Sequence, residues 1–233
     1  MSSAPAAHRL EVRHLQLARA VLAAIAAAMI TFSPDHSAPL GLSVFSGFAI
    51  AVALVFFIAA ALVYPAGARG GAIVLGALSI LAGMVASAQP LRSEFTFFAV
   101  VLVWALSTGV VEAILGLRAR RALRDAHVGA DAASVRQRSD ARDALTIGIL
   151  GVLLAIGLAV VPVQYVLRYT VAEAHQTFTL TGITIGVGIF GAYAAIVAVY
   201  LAIAAFSPRK DAEPSPDPAA DSAASDEHSG GAA

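Results

Sequence analysis

Six apolar runs, each long enough to cross a bilayer, occupy most of this chain: Leu15–Phe32, Leu40–Tyr64, Gly71–Ala88, Phe95–Leu117, Ala144–Leu167 and Phe178–Phe206. About 20 mostly apolar residues of helix span a hydrocarbon core ~30 Å thick. No water is available there to hydrogen-bond the backbone, so each segment must satisfy its own N–H and C=O groups, as a helix does. The runs are continuous rather than alternating apolar and polar, which favours helices over a barrel. Within all six, the only acid is Glu112 and the only base is Arg19. Apolar residues make up 59% of the chain and charged residues 13%, against about 45–50% and 25% in a soluble domain. The sequence therefore predicts an all-α, six-span transmembrane bundle in a lipid bilayer. With no cysteine, disulfides, thiolate metal sites and cysteine lipidation are excluded.

The net charge is zero, but the charges are segregated along the chain. Thirteen of the 15 Arg and Lys residues fall before or just inside the first run, in the second and fourth connections, or after the last run. Only Arg92 and Arg168 lie in the alternate set of connections. The positive-inside rule then predicts a plasma-membrane protein with both termini and the 118–143 connection in the cytoplasm. The first run is read as a span that stays, rather than a cleaved signal, because a second span follows it directly. The organisation expected is a cytoplasmic tail at 1–14, a membrane bundle at 15–206 and an acidic tail at 207–233. Residues 211–233 hold six acids, three prolines and no cation. That composition cannot bury enough apolar surface to fold, so disorder is expected there. The 118–143 connection holds seven Arg and four Asp, with helix formers at 117–126, so both flanking helices should continue past the membrane. Its Arg118, Arg120, Arg121 and Arg124 are candidates for attraction to anionic lipid head groups. No nucleic-acid partner is expected, and self-association into a homo-oligomer is left open.

An internal spacing adds a second constraint. Pro34 and Pro90 are 56 residues apart, and so are the aromatic–Ala pairs Phe48-Ala49 and Trp104-Ala105 that follow them. Tyr193-Ala194 gives the last run a similar pair. Spacings of this kind predict three tandem helical hairpins, 15–64, 71–117 and 144–206, arranged about the membrane normal. The segment Trp104-Ala-Leu-Ser-Thr-Gly-Val-Val-Glu-Ala-Ile-Leu-Gly-Leu-Arg118, preceded by a proline turn, resembles the signature of the HdeD-type acid-resistance membrane proteins. Gly191-Ala-Tyr-Ala-Ala-Ile-Val-Ala-Val-Tyr-Leu and Ser46-Gly-Phe-Ala-Ile-Ala-Val resemble the last and first hairpins of that family, so the likeness covers roughly residues 15–208. The resemblance implies a six-span bundle of three short repeats and a link to acid stress. It carries over no catalytic residue. In the repeat alignment Phe56 and Leu201 stand where the middle hairpin has Glu112.

Glu112 is the leading functional candidate, because a carboxylate within a span is costly and marks a site by default. A spacing of four puts Trp104, Thr108 and Glu112 on one helical stripe. Gly109 and Gly116, and in the last run Gly182 and Gly186, are expected to serve close helix packing. Gly186-x-Gly188-x-x-Gly191 copies a dinucleotide fingerprint in letters only, since that motif needs a preceding strand and a helix N-terminus and here falls within a span. All six histidines lie outside the runs with no metal-ligand spacing, so neither a metal nor a cofactor is expected. Asp35-His36 and Glu173–His175 sit in connections expected to be external. The function expected is therefore non-enzymatic, in acid or envelope stress tolerance. The alternative is a small transporter or channel using Glu112 and Thr108 in an intramembrane polar stripe.

Overall fold

A computed structural model of the chain describes residues 12–125, 132–171 and 176–207. Six helices follow one another: α1 (Val12–Thr31), α2 (Ala38–Leu62), α3 (Arg69–Ser87), α4 (Glu94–Asp125), α5 (Ala132–Val160) and α6 (Gly182–Phe206). All six are long and apolar enough to cross a membrane. Local chemistry fixes several of their starts. Ser37 precedes α2, with Pro39 in its first turn, and Asp35 accepts the Ser37 amide at 2.9 Å. Ser93 accepts the Thr96 amide at 3.1 Å ahead of α4, and Thr181 accepts the Thr184 amide at 3.3 Å ahead of α6.

The helices close into a ring. Each packs against its neighbours in sequence, and α6 returns to pack along α1. The most extensive contacts are not within the hairpins but between them, at α2–α3, α4–α5 and α6–α1. Small residues make these approaches close. Along the middle of α1 the buried residues are Ala20, Ala23, Ala26 and Ala27, with the larger Leu15 and Ile30 buried toward its ends, while Val21, Ile25 and Met29 point outward. Such an arrangement, with small residues inward and large ones toward the surroundings, suits helices in lipid, where association depends on packing rather than on hydrophobic exclusion.

The α4–α5 seam is the tightest case. A Cβ added at Gly109 would lie 2.8 Å from the Gly148 carbonyl oxygen and 2.9 Å from the Val152 amide nitrogen. One at Gly116 would lie 2.7 Å from both the Ala141 oxygen and the Leu145 nitrogen. At both glycines the α4 and α5 backbones approach too closely for a side chain. Gly182 and Gly186 of α6 make two different close approaches, one to a connection and one to α4. Gly182 abuts the backbone of Pro162 and Val163, and Gly186 faces the rings of Phe98 and Phe97. The tight α6–α1 contact uses Gly191 against Ile30 instead.

Several boundaries differ from the apolar runs. α1 starts at Val12, so it takes in the last three residues expected to form the tail. α4 runs on to Asp125 and α5 begins at Ala132, so most of the 118–143 connection is helical, as its helix formers suggested. The fifth run was expected to end at Leu167 and the sixth to begin at Phe178. Instead α5 stops at Val160, and an antiparallel hairpin intervenes, β1 (Val166–Val171) and β2 (Gln176–Thr181), pairing Val166 with Thr181 through Val171 with Gln176. Pro162 cannot continue a helix, and the β-branched and aromatic residues beyond it favour extended backbone. The 1–11 segment, residues 126–131, Glu173, His175 and the expected disordered tail from 208 onward lie outside the described residues.

Candidate functional site

One end of the bundle carries the start of α1, the end of α4 and the start of α5, and with them most of the described arginines. A polar layer lies just inside this basic end. Arg19 of α1 donates from a terminal nitrogen to a Glu112 carboxylate oxygen at 2.6 Å, and the Glu112 side chain is only 8% exposed. The Arg19 guanidinium also lies 4.7 Å from the centroid of the Phe56 ring, within cation–π range. Phe56 and Glu112, 56 residues apart, thus meet one cation. Leu201 is buried nearby and lines, with both of them, the vestibule described below.

One turn earlier on α1, Gln16 shares the face of Arg19. Its amide donates to Asp143 at 3.0 Å, and the Tyr200 hydroxyl donates to the other oxygen of the same carboxylate at 2.9 Å. These bonds tie α1 to α4 and α5, and α6 to α5. None of Arg19, Gln16, Asp143 or Tyr200 was singled out in the sequence as a site residue. A signal for the first was present: Arg19 and Glu112 are the sole charges in the runs and have opposite signs. For Asp143 there was no such signal, because it falls at the edge of a run among seven arginines.

The stripe Trp104, Thr108, Glu112 does face inward, and all three are buried. Trp104 sits mid-span within the bundle, donating its ring N–H to Ser79 at 3.1 Å. Thr108 donates to its own helix, at the Trp104 carbonyl oxygen 2.7 Å away, so its hydroxyl hydrogen is engaged locally. The aromatic–Ala residues of α2, α4 and α6 converge here. Trp104 stacks edge-on with Phe48 at 5.8 Å and with Tyr193 at 6.2 Å, and Phe45 and Phe190 complete the cluster, with centroids 5.2 Å apart for Phe45–Trp104. Edge-to-face packing at these distances is favourable for aromatic quadrupoles.

Two cavities flank the ion pair. Between it and the aromatic cluster is a small space of about 20 Å³, lined by Arg19, Ser79, Trp104, Thr108, Glu112 and Tyr193 among others. That is room for about one water, which needs roughly 10–15 Å³. On the basic side lies a vestibule of about 460 Å³, reached by Gln16, Arg19, Tyr64, Glu112, Asp140 and Asp143. Arg19 and Glu112 line both spaces. They therefore form the floor of the vestibule and the wall of the inner void.

Among the described residues no group of three or more His, Asp or Glu side chains is placed to hold a metal ion. Fold and polar layer together define a multi-pass α-helical membrane protein with an intramembrane ion pair. Comparison with protein-family models, curated proteins and solved structures gives no match.

Proposed function

We propose that this chain is a non-enzymatic protein of the cell membrane that contributes to tolerance of acid or envelope stress. The observation that carries the non-transport part of this reading is the closure of the ring. Five aromatic rings from three helices pack at its centre, behind an ion pair that joins a fourth helix, α1, to α4. The stress assignment draws on the resemblance of Trp104–Arg118 to the HdeD-type proteins. Deletion of the gene, followed by growth across pH, solvent and osmotic stress, tests it. The expected result is a growth defect at acid pH that the intact gene restores. A deletion strain that grows like its parent under every condition overturns the stress role.

The second reading, a small transporter or channel, has one observation in its favour. Glu112 and Arg19 stand between two cavities, so a rearrangement of their pair would join the vestibule to the inner void. The aromatic cluster still lies beyond that void, which is why the first reading is preferred.

Orientation follows from the cation bias of the connections. A reporter fused at Ala130 or after Ala233 is expected to report the cytoplasm, and one at Ser37 or Ala172 the exterior. An external signal at Ala130 would place the most basic connection across the membrane and reverse the assignment.

A further inference from the structure

Counting helix turns from the basic end places the β1–β2 hairpin in depth. Tyr200 of α6 bonds Asp143 of α5, and Gly116 of α4 abuts Ala141 and Leu145 of α5, so these residues share one level of the bundle. The exposed Arg142 marks the basic edge of the hydrocarbon there. At 1.5 Å per residue, α4 covers about 33 Å between Gly116 and Glu94, its first charge. α5 covers only about 26 Å between Asp143 and Val160, and α6 about 27 Å between Tyr200 and Gly182. The Gly182 amide donates to the Tyr165 carbonyl at 2.8 Å, so the foot of the hairpin sits at that same level. A hydrocarbon core is about 30 Å thick. The chain therefore leaves α5 before it has cleared the bilayer.

Surface chemistry agrees with that depth. Ile149, Leu153, Ile156 and Val160 form one exposed stripe along α5, the face it turns to lipid. Exposed apolar surface resumes at Tyr165, Val166 and Leu167, with Gln164 the only amide or charge between Val160 and Arg168. Pairing sets Leu167 beside Leu180 on one face of the hairpin and Val166 beside Thr181 on the other. Val166 is 59% exposed and Leu167 46%, so the bundle covers neither face at the stem. Farther along, Arg168, Thr170 and Thr179 are exposed and polar. We propose that the stem of this hairpin is immersed in the lipid interface at the end of the bundle opposite the basic one, and anchors the α5–α6 connection there. Tyr165, Val166 and Leu167 lie at the acyl boundary and Arg168 reaches the head-group phosphates, as interfacial aromatic and basic side chains do. Unlike the core, the interface retains water for the outward N–H and C=O groups of a two-stranded sheet. The partner is lipid rather than protein because the exposed stem continues the lipid-facing stripe of α5 past the end of the helix. The inference concerns depth alone, so it stands for either orientation and apart from any stress role.

The chain has no cysteine, so a single introduced thiol carries a spin label without interference. The full chain in phosphatidylcholine nanodiscs is labelled at Val166→Cys or Leu167→Cys. Val160→Cys serves as the lipid reference, and Ala66→Cys, in the α2–α3 connection, as the water reference. All four replaced side chains are exposed, so no label displaces a core residue. Power saturation then reads collisions with oxygen, which partitions into lipid, and with a water-soluble nickel chelate. At both stem positions the expected result is oxygen access close to that at Val160 and a loss of nickel access relative to Ala66. Nickel access equal to that at Ala66 would put the stem in water and overturn the proposal. Low access to both reagents would put the stem against the bundle as a cap, and would overturn it equally.

Discussion

Removing either member of the Arg19–Glu112 pair should cost about 3–5 kcal/mol of stability, the usual result of leaving one buried charge without its partner. A purely structural hydrogen bond at Glu112 would tolerate Glu112→Gln, because glutamine keeps the shape and the hydrogen-bonding capacity. The structure alters that expectation. Glu112→Gln leaves the Arg19 guanidinium, 2.6 Å away, without its counter-charge, so it is expected to lower the yield of folded protein nearly as much as Glu112→Leu. Arg19→Leu should act similarly. The double variant Arg19→Leu with Glu112→Leu removes both charges and should recover most of the loss, since apolar replacement of a buried pair is often neutral. Thermal unfolding of the wild type, Glu112→Leu, Arg19→Leu and the double variant in nanodiscs supplies the coupling energy of a double-mutant cycle. A coupling near zero would show that the two side chains do not share one fate, and would remove the ion pair as the element that joins α1 to α4.

The second large effect belongs to the α4–α5 seam. A Cβ at Gly148 would sit 2.5 Å from the Ala113 nitrogen and 2.6 Å from the Gly109 carbonyl oxygen. Both are backbone atoms of α4, so no side chain can swing aside and the helices must part. Gly148→Ala is expected to destabilise by about 1–3 kcal/mol, the range for overpacking a tight contact, and Gly148→Leu to leave little folded protein. Gly47 and Gly188 provide the control, because a Cβ at either meets nothing within 4 Å. Alanine there should be neutral or stabilising by up to ~1 kcal/mol, as helix propensity predicts. If Gly148→Ala and Gly188→Ala unfolded at the same temperature, the seam would not depend on glycine.

Which parts of this molecule could be read in its sequence follows from the range of the interactions involved. The spans were legible because a bilayer imposes a length and a composition on each segment independently. The inward stripe Trp104–Thr108–Glu112 was legible because helical spacing is local. What escaped depends on distance along the chain or on competing local signals. Arg19 and Glu112 are separated by 93 positions, and no periodicity links them. The β-hairpin was hidden because Val161, Val163, Val166 and Leu167 prolong the apolar run past the end of α5. The alternating threonines at 177, 179 and 181 and the paired register of Val166–Val171 are its true signature. Apolarity reports burial in lipid or protein, and by itself does not distinguish a helix from a strand.

Ring closure through α1 and α6 also has a consequence for biogenesis. α1 has the lowest hydropathy of the six helices and carries Arg19, so it is the span least suited to standing alone in lipid. It is nevertheless made first, while Glu112 emerges three helices later and its most extensive neighbour, α6, emerges last. During synthesis, therefore, the least autonomous segment waits longest for its partners. A nascent chain halted between α4 and α6 would have its charge neutralised but one flank of α1 still uncovered. That intermediate is the one a membrane chaperone or quality-control protease would encounter.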